Sequence, residues 1–157
     1  MPDVLDVCCG SKMFWFNKND VRAVYTDKRQ GTWITDNRKG RNPTVISPSI
    51  LADFQNLPFK DCIFNLVVFD PPHLITPNEN ARLTKKYGKL YSNWKPMIKN
   101  GFAECFRVLR PSGTLIFKWN EYEIPLSEIL ALTNENPLFG HKSGRQSKTH
   151  WVTFIKA

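Results

Sequence analysis

Asp70 is followed by two prolines and a histidine, and this run, Phe69-Asp70-Pro71-Pro72-His73, is the part of the chain best suited to do chemistry. Proline has no N–H and a fixed φ, so Pro71 and Pro72 must end any strand before them and set the course of the chain beyond. Such a turn presents a carboxylate and a carbonyl from fixed positions. Asp70 and the carbonyl of Pro71 can both accept hydrogen bonds from one amino group, which aims its nitrogen lone pair at an electrophile. A ring at position 73 can stack on a planar base, and as histidine it can also titrate near neutral pH. The competing reading is a structural stop at the end of a strand.

Three further acids come earlier in the chain. Asp6 stands four residues before Gly10 in Asp6-Val7-Cys8-Cys9-Gly10, after a short apolar run. A glycine turn after a first strand lets a cofactor approach the backbone, so Asp6, Cys8 and Gly10 are candidate cofactor residues; a plain turn is the alternative. Asp27 ends the next β-branched run, twenty-one residues after Asp6. An acid at that separation can hold ribose hydroxyls, or it can be a solvated turn residue. Asp53 can accept from a ring amino group while Phe54 packs on the ring. The same pair would also serve as a cap and a core aromatic.

Residues 84–95 interleave lysines and aromatics. Lys85, Lys86, Tyr87, Tyr91 and Trp94 can pair with phosphates and stack on bases, or can form a solvated loop. Lys118 and Asn120, at the end of a later apolar run, point toward the same site. A second basic loop carries His141, Lys142, Arg145 and Lys148 and is expected to reach that face as well.

These residues need a scaffold. Apolar runs alternate with helical spacing, the mark of an α/β sheet. Val4–Val7, Val21–Thr26, Leu66–Phe69, Thr114–Trp119 and Trp151–Ile155 read as strands, and Val45-Ile46 falls where a third strand belongs. Lys12–Asn17 reads as a short helix or tight loop, 28–43 as a loop, and Gly140–Lys148 as a turn. Met97, Ile98, Phe102, Cys105, Phe106 and Leu109 give 96–109 a helical stripe. Pro125–Leu132 reads as a second, shorter helix.

With 157 residues the chain predicts one domain, 1–157. That leaves no length for a separate substrate-recognition domain; a homodimer would supply the missing surface. No apolar run reaches a membrane span and no signal peptide is evident. The four cysteines form no C-x-x-C pair and read as reduced thiols of a cytoplasmic protein, with no metal site. The net charge of +8 favours a polyanionic partner, nucleic acid first, or serves solubility alone.

Taken together, Asp6–Gly10, Asp27, Asp53 with Leu57-Pro58-Phe59, Leu66–His73 and Val108–Leu115 resemble, in order, the motifs of class I S-adenosylmethionine-dependent methyltransferases. The Asp-Pro-Pro-His tetrad is similar to the Asp-Pro-Pro-Tyr tetrad of the branch that methylates exocyclic amines, adenine N6 above all. The whole chain resembles the compact stand-alone enzymes of phages and prophages. Cys8 replaces the usual first glycine, Ser11-Lys12 the end of the glycine pattern, and His73 the usual tyrosine.

The resemblance implies a Rossmann-like α/β fold: a seven-stranded, mostly parallel sheet with helices on both faces and an antiparallel last strand. It implies S-adenosylmethionine as cofactor, with Gly10 under the methionine part, Asp27 on the ribose and Asp53-Phe54 on the adenine. Asp70, Pro71, Pro72 and His73 would hold the acceptor amine of DNA or RNA. A small-molecule or protein acceptor, or a non-catalytic nucleic-acid-binding module on the same fold, are the competing functions.

Overall fold

The computed structural model describes residues 2–34 and 42–157. The chain runs β1 (Val4–Asp6), β2 (Ala23–Asp27), β3 (Gly31–Trp33), β4 (Thr44–Ile46), β5 (Ile50–Leu51), β6 (Phe64–Phe69), α1 (Arg82–Tyr87), α2 (Trp94–Val108), β7 (Leu109–Asn120), α3 (Leu126–Leu130), β8 (Phe139–Lys142) and β9 (Thr149–Ile155). Seven strands form the main sheet in the order β5-β2-β1-β6-β7-β9-β8. β1 pairs in parallel with β2 and β6, and β6 with β7, whereas β9 runs antiparallel to both its neighbours. This is the expected sheet, with its last strand reversed.

The central strands are apolar because they are covered on both sides. Val67 and Phe69 of β6 and Leu115, Phe117 and Trp119 of β7 are buried toward α2. That helix buries its predicted stripe, Met97, Ile98, Phe102, Cys105 and Phe106. Phe102 meets Phe117 at 4.8 Å and Phe69 at 5.6 Å between ring centroids. Gly101 makes this approach possible, since a Cβ there would stand 2.6 Å from the Phe69 ring. Pro96 is tolerated because it falls in the helix's first turn, where no intrahelical donor is lost.

Helix α2 covers this face of the sheet. The opposite face is closed by turns after Gly10. Trp15 packs edge-on against Tyr25 at 4.9 Å, and Phe14 against Trp151 at 5.7 Å. The segment has no periodic apolar set from which a helix could gain, but its aromatics cover the sheet.

Two strand assignments also change. Thr44–Ile46 pairs with Gly31–Trp33 in a separate two-stranded antiparallel sheet, so part of the loop expected at 28–43 is a strand, while 35–41 lie outside the described residues; the sheet edge beyond β2 is Ile50-Leu51. Part of the expected turn at 140–148 is the edge strand β8. Its residues are all exposed, so no burial pattern marks it.

Candidate active site

β1 leads to β2 on one side of the sheet and β6 to β7 on the other, so the strand order reverses between β1 and β6. A cavity of about 520 Å³ opens at the carboxyl ends of these strands. That is where open α/β sheets bind ligands. Asp70, Pro71, Pro72 and His73 line it from the end of β6. Cys8 and Gly10 line it from the turn after β1, Asp27 from the end of β2, and Phe54 from the segment after β5. Lys86, Tyr87 and Tyr91 form another wall, and Lys118 and Asn120 enter from β7.

Four of the expected site residues stand outside this lining. Asp6 is fully buried behind it. Asp53 accepts from the backbone N–H of Gln55 at 2.9 Å and shapes a local turn. Lys85 contributes its carbonyl, which accepts from Arg29 at 3.3 Å. Trp94 packs into the core at the start of α2. The second basic loop stays away from the wall as well. Lys142 and His150 both reach Glu121, at 3.4 and 2.8 Å.

The β1–β2 side of the cavity is held by Asp27. Its Oδ2 accepts from the Gly10 N–H at 3.0 Å and its Oδ1 from the Arg29 N–H at 2.9 Å. Gly10 adopts φ 49°, which favours glycine, and a Cβ there would project into open space. Asp6 Oδ2 accepts from Trp15 Nε1 at 2.7 Å. Its other oxygen is buried without a partner among the described residues. Burial pushes its carboxyl up to about 7, against the pull of Trp15. A glycine cradle, a buried acceptor and an aromatic wall at Phe54 fit S-adenosylmethionine, whose charged methionine end and planar adenine call for those groups. Among the described residues, no His, Cys, Asp and Glu group is arranged to hold a metal ion.

On the β6–β7 side, Asp70 Oδ2 accepts from Lys118 Nζ at 2.7 Å. Burial raises the Asp70 carboxyl and Lys118 opposes that rise. His73 sits 6.1 Å from the Tyr87 ring and 6.2 Å from Trp119. Burial, then Lys118, push its imidazole down to about 4, so it is a neutral ring at pH 7 rather than the near-neutral titrant expected from sequence. The turn is well braced. Glu123 accepts from the N–H groups of Ile75 and Thr76, and the Leu90 N–H donates to the Leu74 carbonyl at 2.9 Å. Gly88, at φ 79°, lets the end of α1 pack on Pro72, where a Cβ would come to 3.0 Å.

Sequence reasoning passed over several wall residues. Met13 and Phe14 belong to an aromatic run directly after the glycine turn, a signal open to reading. Arg29 and Lys28 are basic residues just after Asp27, and Lys89 lies within the basic and aromatic segment 84–95. Thr149 comes from the far end of the chain, and nothing local announces it.

No family model matches the chain, and no curated protein does. Solved structures do. The PH0226 protein of Pyrococcus horikoshii OT3 superposes with a TM-score of 0.64 at 16% identity, over 98% of this chain and 81% of that one. A TehB-like SAM-dependent methyltransferase from Corynebacterium glutamicum gives 0.57 at 11% identity, over 98% of this chain and 79% of its own. A 1,6-didemethyltoxoflavin-N1-methyltransferase of Burkholderia thailandensis, solved with 1,6-didemethyltoxoflavin and S-adenosylhomocysteine bound, gives 0.56 at 13%, over 98% and 70%. The chain therefore has the fold of class I S-adenosylmethionine-dependent methyltransferases.

Proposed function

We propose that the protein is an S-adenosylmethionine-dependent methyltransferase of the compact Asp-Pro-Pro type, acting on an exocyclic amine, adenine N6 first, in DNA or RNA. The observation that carries this reading is the Asp70–His73 turn, braced at the carboxyl end of β6 and facing the same cavity as the Gly10 turn. The bound cofactor supplies an electrophilic methyl group. Gly10, Asp27 and Phe54 hold it, with Asp6 behind the turn. Asp70 and the Pro71 carbonyl accept from the substrate amine, align its lone pair and stabilise the positive charge that develops on nitrogen. His73 and Tyr87 stack on the base, while Lys86 and Lys89 meet phosphates. No dedicated base is needed, because a methylated ammonium releases its proton readily to water. A duplex substrate would have to release its base into the cavity. Four free thiols suit a reducing, cytoplasmic setting.

A small-molecule acceptor is the second reading. It is favoured by the ligand bound in the Burkholderia enzyme. Tritium transfer from labelled cofactor to DNA, RNA and cell extract separates the two. Label in nucleic acid, released on digestion as an N6-methylated adenine nucleoside, is expected. Label confined to small molecules or protein would move the assignment to the second reading. No label and no cofactor binding would leave a nucleic-acid-binding module.

A further inference from the structure

Lys118 is out of place for its strand. Its neighbours on β7, Phe117 and Trp119, are buried in the α2-side core, and Ile116 precedes them. Phe117 pairs in register with Phe69 on parallel β6, so the next residues, Lys118 and Asp70, lie side by side at the strand ends. The ammonium is 2.7 Å from Asp70 Oδ2. It also lies 5.6 Å from the centres of both the Phe14 and Trp151 rings, which flank it. Two ring faces fix a flexible side chain where one would not. Among the described residues, Asp70 Oδ1 has no hydrogen-bond partner, and Asp70 lines the cavity.

Building on the function proposed above, we infer that Lys118 is a positioning residue for the reaction. It holds Oδ2 of Asp70 and so presents Oδ1, as part of an ionised carboxylate, to the substrate amine. The chemistry requires an acceptor there. A protonated carboxyl would offer an O–H where the amine already brings N–H donors. Partial burial of the Asp70 carboxyl favours that protonated form, and a fixed cation opposes it. The other groups facing the pair do not replace Lys118. Asp6 at the end of β1, Cys8 after it and Asp27 on β2 carry negative or neutral groups, His73 is neutral, and Glu123 is acidic. Lys118 thus acts on Asp70 rather than directly on the substrate.

The test uses the full chain as wild type, Lys118→Met and Lys118→Arg. The aspartate carboxyls are labelled with carbon-13, and the Asp70 signal is assigned by its absence in Asp70→Asn. In Lys118→Met the Asp70 titration should move up by at least about one pH unit. The acid limb of kcat/KM for methyl transfer should move with it. On that acid limb kcat should fall about tenfold for each unit of the shift, recover as pH rises above it, and recover in part in Lys118→Arg. Cofactor affinity by calorimetry should stay within about threefold, since Lys118 serves the acceptor side. An unmoved Asp70 titration, or a kcat in Lys118→Met at or above wild type with an unchanged pH profile, would overturn the inference while leaving methyl transfer intact. Absence of transfer by the wild type would remove the functional reading and this inference together.

Discussion

Asp6 is a buried carboxyl with one oxygen satisfied by Trp15 and one left over. Its stability effect has a definite sign. The folded state keeps the proton up to about pH 7, whereas the unfolded chain loses it near the ordinary value of 3.8. Folding stability therefore falls as pH rises through that window. Asp6→Asn keeps an acceptor for Trp15 and removes the charge. It is expected to melt higher than wild type, by roughly 5–10 °C at pH 8, with the gap shrinking toward pH 4. Calorimetry at pH 4, 6 and 8 checks this, and a gap independent of pH would contradict it. His73 gives a second expectation. Its ring is neutral at pH 7, so His73→Tyr should transfer methyl groups at near wild-type rate there. His73→Ala should lose about 1–3 kcal/mol of acceptor binding, read from KM. The Asp70–His73 turn was legible in sequence because two prolines punctuate the backbone by covalent structure alone. The Asp6–Trp15 and Asp70–Lys118 pairs were not, because partners nine and forty-eight residues apart meet only through the sheet.

At the scale of elements, α2 holds the site together from beneath. Phe69, just before Asp70, packs on Phe54 at 5.5 Å and on Phe102 of the helix. Arg107 near its end binds Glu104, Asp61 and the carbonyls of Leu57 and Phe59, which ties down the loop after Phe54. Gly101→Ala would normally help a helix by about 1 kcal/mol. Here its Cβ meets Phe69 and Phe54 at 2.6 and 2.8 Å, so a net loss of about 1–3 kcal/mol is expected in urea unfolding. A weakened cofactor affinity should accompany it, because Phe54 lines the cavity. Unchanged stability would mean the helix is less tightly docked than described. The helical stripe of α2 and the apolar runs of β6, β7 and β9 were readable from sequence, since burial imposes their period. The edge strands β5 and β8 were not, because exposed residues leave no such imprint. The turns over the second sheet face fit the tight-loop alternative read for 12–17, but the packing of Trp15 and Phe14 there, without any repeat, left no sign in the sequence.

For the whole molecule, the charge of +8 acts only through where it is displayed. Lys86 and Lys89 stand on the cavity wall, whereas Lys142 is engaged by Glu121. If the substrate is nucleic acid, affinity should fall steeply between 50 and 200 mM salt, and removing Lys86 or Lys89 should reduce the salt slope by about one each. Lys142→Ala should leave it near the wild-type value. No helix among the described residues is long and apolar enough to cross a membrane. The fold class was legible from alternating runs and ordered motifs, but composition does not name a substrate, and the fold alone does not either. The most direct test of the account compares single-turnover methyl transfer by the wild type and Asp70→Ala, each saturated with cofactor whose binding is measured separately. Asp70→Ala is expected to bind cofactor within about threefold of wild type and to lose transfer by about a thousandfold or more. Transfer at the wild-type rate in that variant would contradict the assignment of Asp70 as the centre of the site.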